Sequence, residues 1–126
     1  MEIEIGEYVR INNDFRLIAL GIGKVIKINQ DTIYVKMNFE LPFAFKLENI
    51  AKHSKNLIDL VEDGDYVNGY KIIAINYKEN YITIQNINEF GENGIKVLQE
   101  DEIKTILTKE QMEANCYTVE RKEEWV

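Results

Sequence analysis

Cations and aromatic rings are the residues of this chain with usable chemistry. Arg10, Arg16 and Lys36 offer charge for a phosphate or a carboxylate. Tyr34 alternates with Ile33 and Val35, and Tyr81 with Ile82 and Ile84, so both rings point away from the apolar face of a strand. Outward tyrosines bring large amphipathic area at small entropy cost and suit contact surfaces; packing across neighbouring strands is the alternative, and the sequence leaves both open. Phe15-Arg16-Leu17-Ile18 forms an apolar stretch with one cation, suited to docking a partner or to covering a neighbouring unit, with covering preferred. The candidate binding residues are therefore Arg10, Phe15, Arg16, Tyr34, Lys36 and Tyr81.

The remaining reactive groups point away from catalysis. His53 is the single histidine, so neither a histidine metal cluster nor a Ser-His-Asp relay can be assembled within one chain. It is read as a surface or junction residue. Cys116, the single cysteine, has no second thiol and reads as a small buried residue on a last strand. The acidic run from Asp59 to Asp65 does not have the alternate spacing of a calcium loop and reads as a solvated turn. Gly21-Ile22-Gly23-Lys24 lacks the spacing and the following helix of a phosphate loop. Carboxylates are abundant, but no pair is set apart for acid–base work. The expectation is a non-enzymatic protein with no cofactor and no metal.

These residues must be positioned by strands, and the strands come in two similar sets. Gly6-Glu7-Tyr8-Val9 returns as Gly64-Asp65-Tyr66-Val67. Lys24-Val25-Ile26-Lys27-Ile28-Asn29 is answered by Lys71-Ile72-Ile73-Ala74-Ile75-Asn76, and Ile33-Tyr34-Val35 by Ile82-Thr83-Ile84. Order is kept while loop lengths differ, the first set having the longer loop after its opening strand. Period-two alternation predicts strands near residues 2–11, 25–28 and 32–37, with Ile33, Val35 and Met37 inward. Phe43, Phe45 and Leu47 share one face of a further strand, and Leu47 to Ile50 suits a short helical turn. The second set predicts strands at 66–67, 71–76, 81–85 and 95–98, with a return near 103–107. Thr108-Lys109-Glu110-Gln111 is a capping box starting a short helix that ends near Asn115, followed by a last strand at Cys116–Val119.

Short strands closed by a helical turn predict a mainly β protein of two tandem SH3-like, or KOW-like, small barrels packed together. The units are expected at 1–56 and 57–126, the second carrying the helix–strand extension. Each is near the size at which an isolated core is marginal, so they should share an interface. A hydrophobic content of 45% supports a folded chain. Net charge is −7, with eight Lys/Arg against seven Asp/Glu in 1–56 and seven against fifteen in 57–126. The acidic second unit is repelled by phosphate backbones, which disfavours direct nucleic-acid binding. No apolar run spans a bilayer, the start is acidic and alternating rather than signal-like, and a lone cysteine forms no internal disulfide. Cytoplasmic location is expected.

Gly6-Glu7-Tyr8-Val9-Arg10, the block from Lys52 to Leu60 (KHSKNLIDL), Gly64-Asp65-Tyr66-Val67-Asn68-Gly69-Tyr70-Lys71 and Thr108-Lys109-Glu110-Gln111 resemble small phage and prophage proteins of low-GC Gram-positive bacteria, of clostridial type. The resemblance covers most of the chain and is most specific in its central block. Twelve lysines to three arginines, with many Asn and Ile, agree with an AT-rich genome. The resemblance implies a phage-encoded accessory protein acting in the host cytoplasm and supplies no catalytic residues. The leading expectation is a protein that binds a host factor, one with a basic nucleic-acid-binding groove, as an anti-CRISPR-like counter-defence inhibitor. Sequestration of a host signalling nucleotide through Tyr34, Arg10, Arg16 and Lys36, at an oligomer interface, is the alternative. A nucleic-acid-binding accessory role is the third reading.

Overall fold

The computed structural model describes residues 2–13, 19–87 and 93–115, and the chain is mainly β. The first antiparallel sheet has five strands: β1 (Tyr8–Ile11), β2 (Gly21–Asn29), β3 (Thr32–Lys36), β4 (Phe43–Phe45) and β5 (Ile50–Ser54), in the order β4-β3-β2-β1-β5. The second has β6 (Tyr66–Val67), β7 (Tyr70–Asn76), β8 (Tyr81–Ile87), β9 (Asn93–Gln99) and β10 (Ile106–Leu107), in the order β10-β6-β7-β8-β9. Counted within each set, both sheets run fifth, first, second, third, fourth. Among the described residues one short α-helix, α1 (Lys109–Asn115), follows.

The likeness extends to irregularities. The ladder between β2 and β3 shifts register between Val25 and Lys27, and that between β7 and β8 shifts between Ile72 and Ala74, at matching places in the repeat. Such bulges bend and twist a strand, and here each falls on the hairpin between the second and third strands of its sheet. A 3-10 turn precedes the fifth strand in both sets, at Leu47–Asn49 and at Glu100–Glu102. The backbone before each first strand turns at a glycine of positive φ, Gly6 at 98° and Gly64 at 97°, which a side chain would strain. Between β6 and β7 both Asn68 and Gly69 have positive φ, the requirement of a primed two-residue hairpin turn.

Two apolar clusters follow from the alternation. Val9, Ile11, Val25, Ile33, Val35, Met37, Phe45 and Ile50 are buried in the first set; Ile58, Val61, Val67, Ile72, Ile82, Ile84 and Leu98 in the second. The 3-10 turn Leu57–Leu60 sends Ile58 into the second cluster, although it follows β5 directly. In the other direction, Ala114 of α1 packs against the first cluster. The second unit thus lends Ala114 to the core of the first.

Some expectations are revised. Leu47 does not continue the face of Phe43 and Phe45: the chain leaves the strand at Lys46, and Leu47 is exposed on the 3-10 turn. Ile50–Ser54 is a strand that alternation did not reveal, because Lys52, His53 and Ser54 are all partly buried under the second unit's turn. The acidic run is not a solvated turn throughout, since Asp65 is wholly buried. The predicted capping box forms: Thr108 Oγ1 accepts from the Gln111 N–H at 3.2 Å, and Gln111 Oε1 accepts from the Thr108 N–H at 2.8 Å. Cys116–Val119, Phe15 and Arg16 lie outside the described residues.

Candidate functional site

On β1, Val9 and Ile11 face the first core, so Tyr8 and Arg10 take the opposite face. That face is covered by the second unit, and Arg10 is wholly buried. Its guanidinium forms a fork with Asp65, Nη1 to Oδ2 at 2.6 Å and Nη2 to Oδ1 at 2.9 Å. Nη1 also donates to the Leu60 carbonyl, Nη2 to Glu110 Oε1 and Nε to Asn12 Oδ1, each at 2.9 Å. Glu62 stands 3.6 Å from Nε and also meets Lys52 and Lys109, each at 3.2 Å.

Burial alone would depress the Arg10 pKa, but hydrogen bonds and charge from Asp65, with Glu110 and Glu62 behind it, raise it above the ordinary arginine value. Burial likewise pushes Glu62 upward, and the charge of Arg10 with hydrogen bonds from Lys109 and Lys52 outweighs it, leaving Glu62 below the usual carboxylate value. Asp65 further accepts from the Glu62 and Lys109 N–H groups at 2.8 and 3.0 Å. This arrangement neutralises charge and saturates donors. Arg10 is therefore committed inside the protein and is not offered to a ligand phosphate.

Of the other expected binding residues, Tyr34 and Lys36 share the outer face of β3, while Tyr81 lies on β8 of the other sheet. Tyr34 stands opposite Ala44, and the Lys27 ammonium lies 5.5 Å from its ring centroid. The Tyr81 hydroxyl accepts from Asn76 Nδ2 at 3.2 Å across the β7–β8 hairpin. Lys36 is exposed on its strand, and its ammonium donates to the Phe39 carbonyl. The structure brings Tyr34 and Lys36 to one face and leaves Tyr81 in the second unit.

A cavity lies elsewhere, beside the first sheet. It encloses about 890 Å³ and has an apolar floor of Ile3, Ile28, Ile33 and Leu47. Its rim carries Glu2, Glu4, Asp31 and Glu48, with Lys46 as the one cation among the described lining residues. Three sources build it: the segment before β1, the tip of the β2–β3 hairpin, and the 3-10 turn that exposes Leu47. The sequence showed each piece but not their convergence, because pairing of distant segments sets it. Glu4 is partly occupied by Lys55 at 3.0 Å, on the exposed side.

No family model, curated protein or solved structure matches the chain. Among the described residues, no group of three or more His, Cys, Asp or Glu side chains is placed to hold a metal ion, and no helix is long and apolar enough to cross a membrane.

Proposed function

We propose that the chain is a non-enzymatic binding protein of two SH3-like units that docks a basic, amphipathic segment of another protein in the cleft beside its first sheet. The shared strand order, with a 3-10 turn before each fifth strand, supports the SH3-like reading of both units. The observation that carries the function is the cleft itself: an apolar floor within an acidic rim, in a volume usual for ligand sites. Such a surface rewards a partner with apolar anchors on one face and Lys or Arg along the edge. The resemblance to phage proteins makes that partner a host protein with a basic, nucleic-acid-binding groove, and interference with host defence, as an anti-CRISPR inhibitor does, the outcome.

The test uses the exposed floor residue Leu47 and the rim residue Glu48. Affinity purification from infected host cells, run in parallel with wild type, Leu47→Lys and Glu48→Lys, should recover one partner with wild type only. A labelled basic amphipathic peptide from that partner should bind at least tenfold more weakly to either variant, about 1.4 kcal/mol. Equal binding by all three proteins, or a preference for an acidic probe, would sink this reading.

A further inference from the structure

The net charge of the chain is negative, but the seam between the two units is lined by cations. Tyr8 stands opposite Lys24 on β2, and Lys24 opposite Lys36 on β3, so the three form a row across the outer face of the first sheet. Two like charges directly opposed on antiparallel strands destabilise the pair. The Lys24 ammonium lies 5.8 Å from the Tyr8 ring centroid, and that of Lys36 rests on the Phe39 carbonyl. Neither contact is with a carboxylate.

The second unit closes the row from the other side. Leu57 and the segment Ile103–Ile106 complete a cavity of about 270 Å³ and add a third cation, Lys104. No Asp or Glu is among its described lining residues, in a chain of 22 acidic and 15 basic ones. The second wall is held in place by Asn68, at the β6–β7 turn. Its Oδ1 accepts from the Lys104 and Thr105 N–H groups at 2.8 and 3.1 Å, and its Nδ2 donates to the Glu102 carbonyl at 3.0 Å. The backbone adds a bond from the Asn68 N–H to the Thr105 carbonyl at 2.9 Å. Lys104 is therefore fixed by a hydrogen-bonded turn rather than carried on a free loop.

We propose that this seam binds a compact phosphate-bearing small molecule, with the phosphate between Lys24, Lys36 and Lys104 and the rest of the ligand against Tyr8 and Ile22. An ammonium has three donors and no acceptor, and it binds phosphate as a point charge. An anion placed there offsets the repulsion between Lys24 and Lys36. The volume lies just below the usual range of ligand pockets, which selects a mononucleotide or sugar phosphate over anything longer. The site shares no described lining residue with the acidic cleft, so either can fail without the other.

Titration calorimetry on the full chain at low salt, with adenosine 5′-monophosphate, ribose 5-phosphate and adenosine, tests the site. Both phosphates should give saturable heat and adenosine none; the ratio of the two affinities reports whether a base is recognised. Lys24→Gln and Lys104→Gln should each weaken binding about tenfold, while Lys71→Gln, on β7 and outside the seam, leaves it unchanged. Lys24→Glu replaces a like-charge pair with an opposite one, so it should abolish binding and raise the melting temperature. That pairing of effects separates a lost site from a lost fold. Absence of saturable heat from either phosphate in the millimolar range, equal binding of adenosine, or unchanged affinity in Lys24→Glu overturns the proposal.

Discussion

At the scale of single residues, Arg10 has the largest consequences. Alternation along β1 places it opposite the core, and the structure agrees; what a one-dimensional pattern omits is that a second unit covers that face. The partner Asp65 follows in the repeat at the place of Glu7, and the two acids have diverged in use. Asp65 binds a buried guanidinium, whereas Glu7 meets His53 Nδ1 at 2.9 Å and the Glu4 N–H at 2.5 Å. Removing one member of a buried pair strands the other charge, so Arg10→Met should lower stability by about 3–5 kcal/mol. Denaturant titration followed by circular dichroism checks it, and a loss under about 1 kcal/mol would place the cluster with weak surface pairs. Acid should act through Glu62 and Glu7. For each, burial pushes the pKa up, yet cations around Glu62, and the Glu4 N–H with His53 at Glu7, hold it below 4.5 in the folded chain. A carboxylate whose folded pKa is depressed stabilises the fold above its unfolded value, and that contribution is lost as pH falls through the folded value. Melting temperature should therefore be steady above about pH 5 and fall steeply below pH 4, with a shallower fall in Glu62→Gln.

The elements were legible where periodicity is local. The strands of the second set, the β3 face of Ile33, Val35 and Met37, and the capped helix all follow from alternation, turn residues and the Thr108–Gln111 spacing. β5 was not, because only Ile50 joins the first core while Lys52, His53 and Ser54 are partly buried, and the strand packs beside the Leu57–Leu60 turn. The two cavities were beyond reach for the same reason: each is assembled from segments whose neighbours are set by pairing and docking, and Lys104 meets Lys24 only across the seam. Two element-scale outcomes follow from contacts already described. Thr108 is fully buried and caps α1, so Thr108→Ala should cost about 1 kcal/mol and loosen Glu110 from Arg10. At Gly23, an added Cβ would stand 2.5 Å from Val35 Cγ1 and 2.8 Å from the Lys36 carbonyl oxygen. The carbonyl belongs to the ladder and cannot yield, so Gly23→Ala should destabilise by about 1–3 kcal/mol. A melting temperature equal to wild type in Gly23→Ala would mean that β2 and β3 separate more easily than their register implies.

For the whole molecule, the question is whether two units of similar topology behave as two domains or one. Residues 8–54 and 66–107 hold separate sheets and separate apolar clusters, which alone would suggest independent folding. Each sheet, however, belongs to a segment of about half the chain, in the size range where burial barely offsets conformational entropy. The links between them are also of the kind that fail together. Arg10 joins the first sheet to Asp65, to the Leu60 carbonyl of the connecting turn, and to Glu110 of the helix. Ala114 fills the edge of the first core, and Gln111 lies so close to Gly21 that a Cβ there would meet it at 2.8 Å. Unfolding either sheet would expose the charged cluster half-paired, at a cost of several kcal/mol, so the intermediate with one unit open should not accumulate. Scanning calorimetry of wild type should then show one transition whose calorimetric and van't Hoff enthalpies agree. Arg10→Met removes the shared charge and should broaden that transition or resolve it into two, and residues 1–56 expressed alone should remain unfolded by circular dichroism. Two well-separated transitions in the wild-type chain would show instead that the cluster joins finished domains without coupling them.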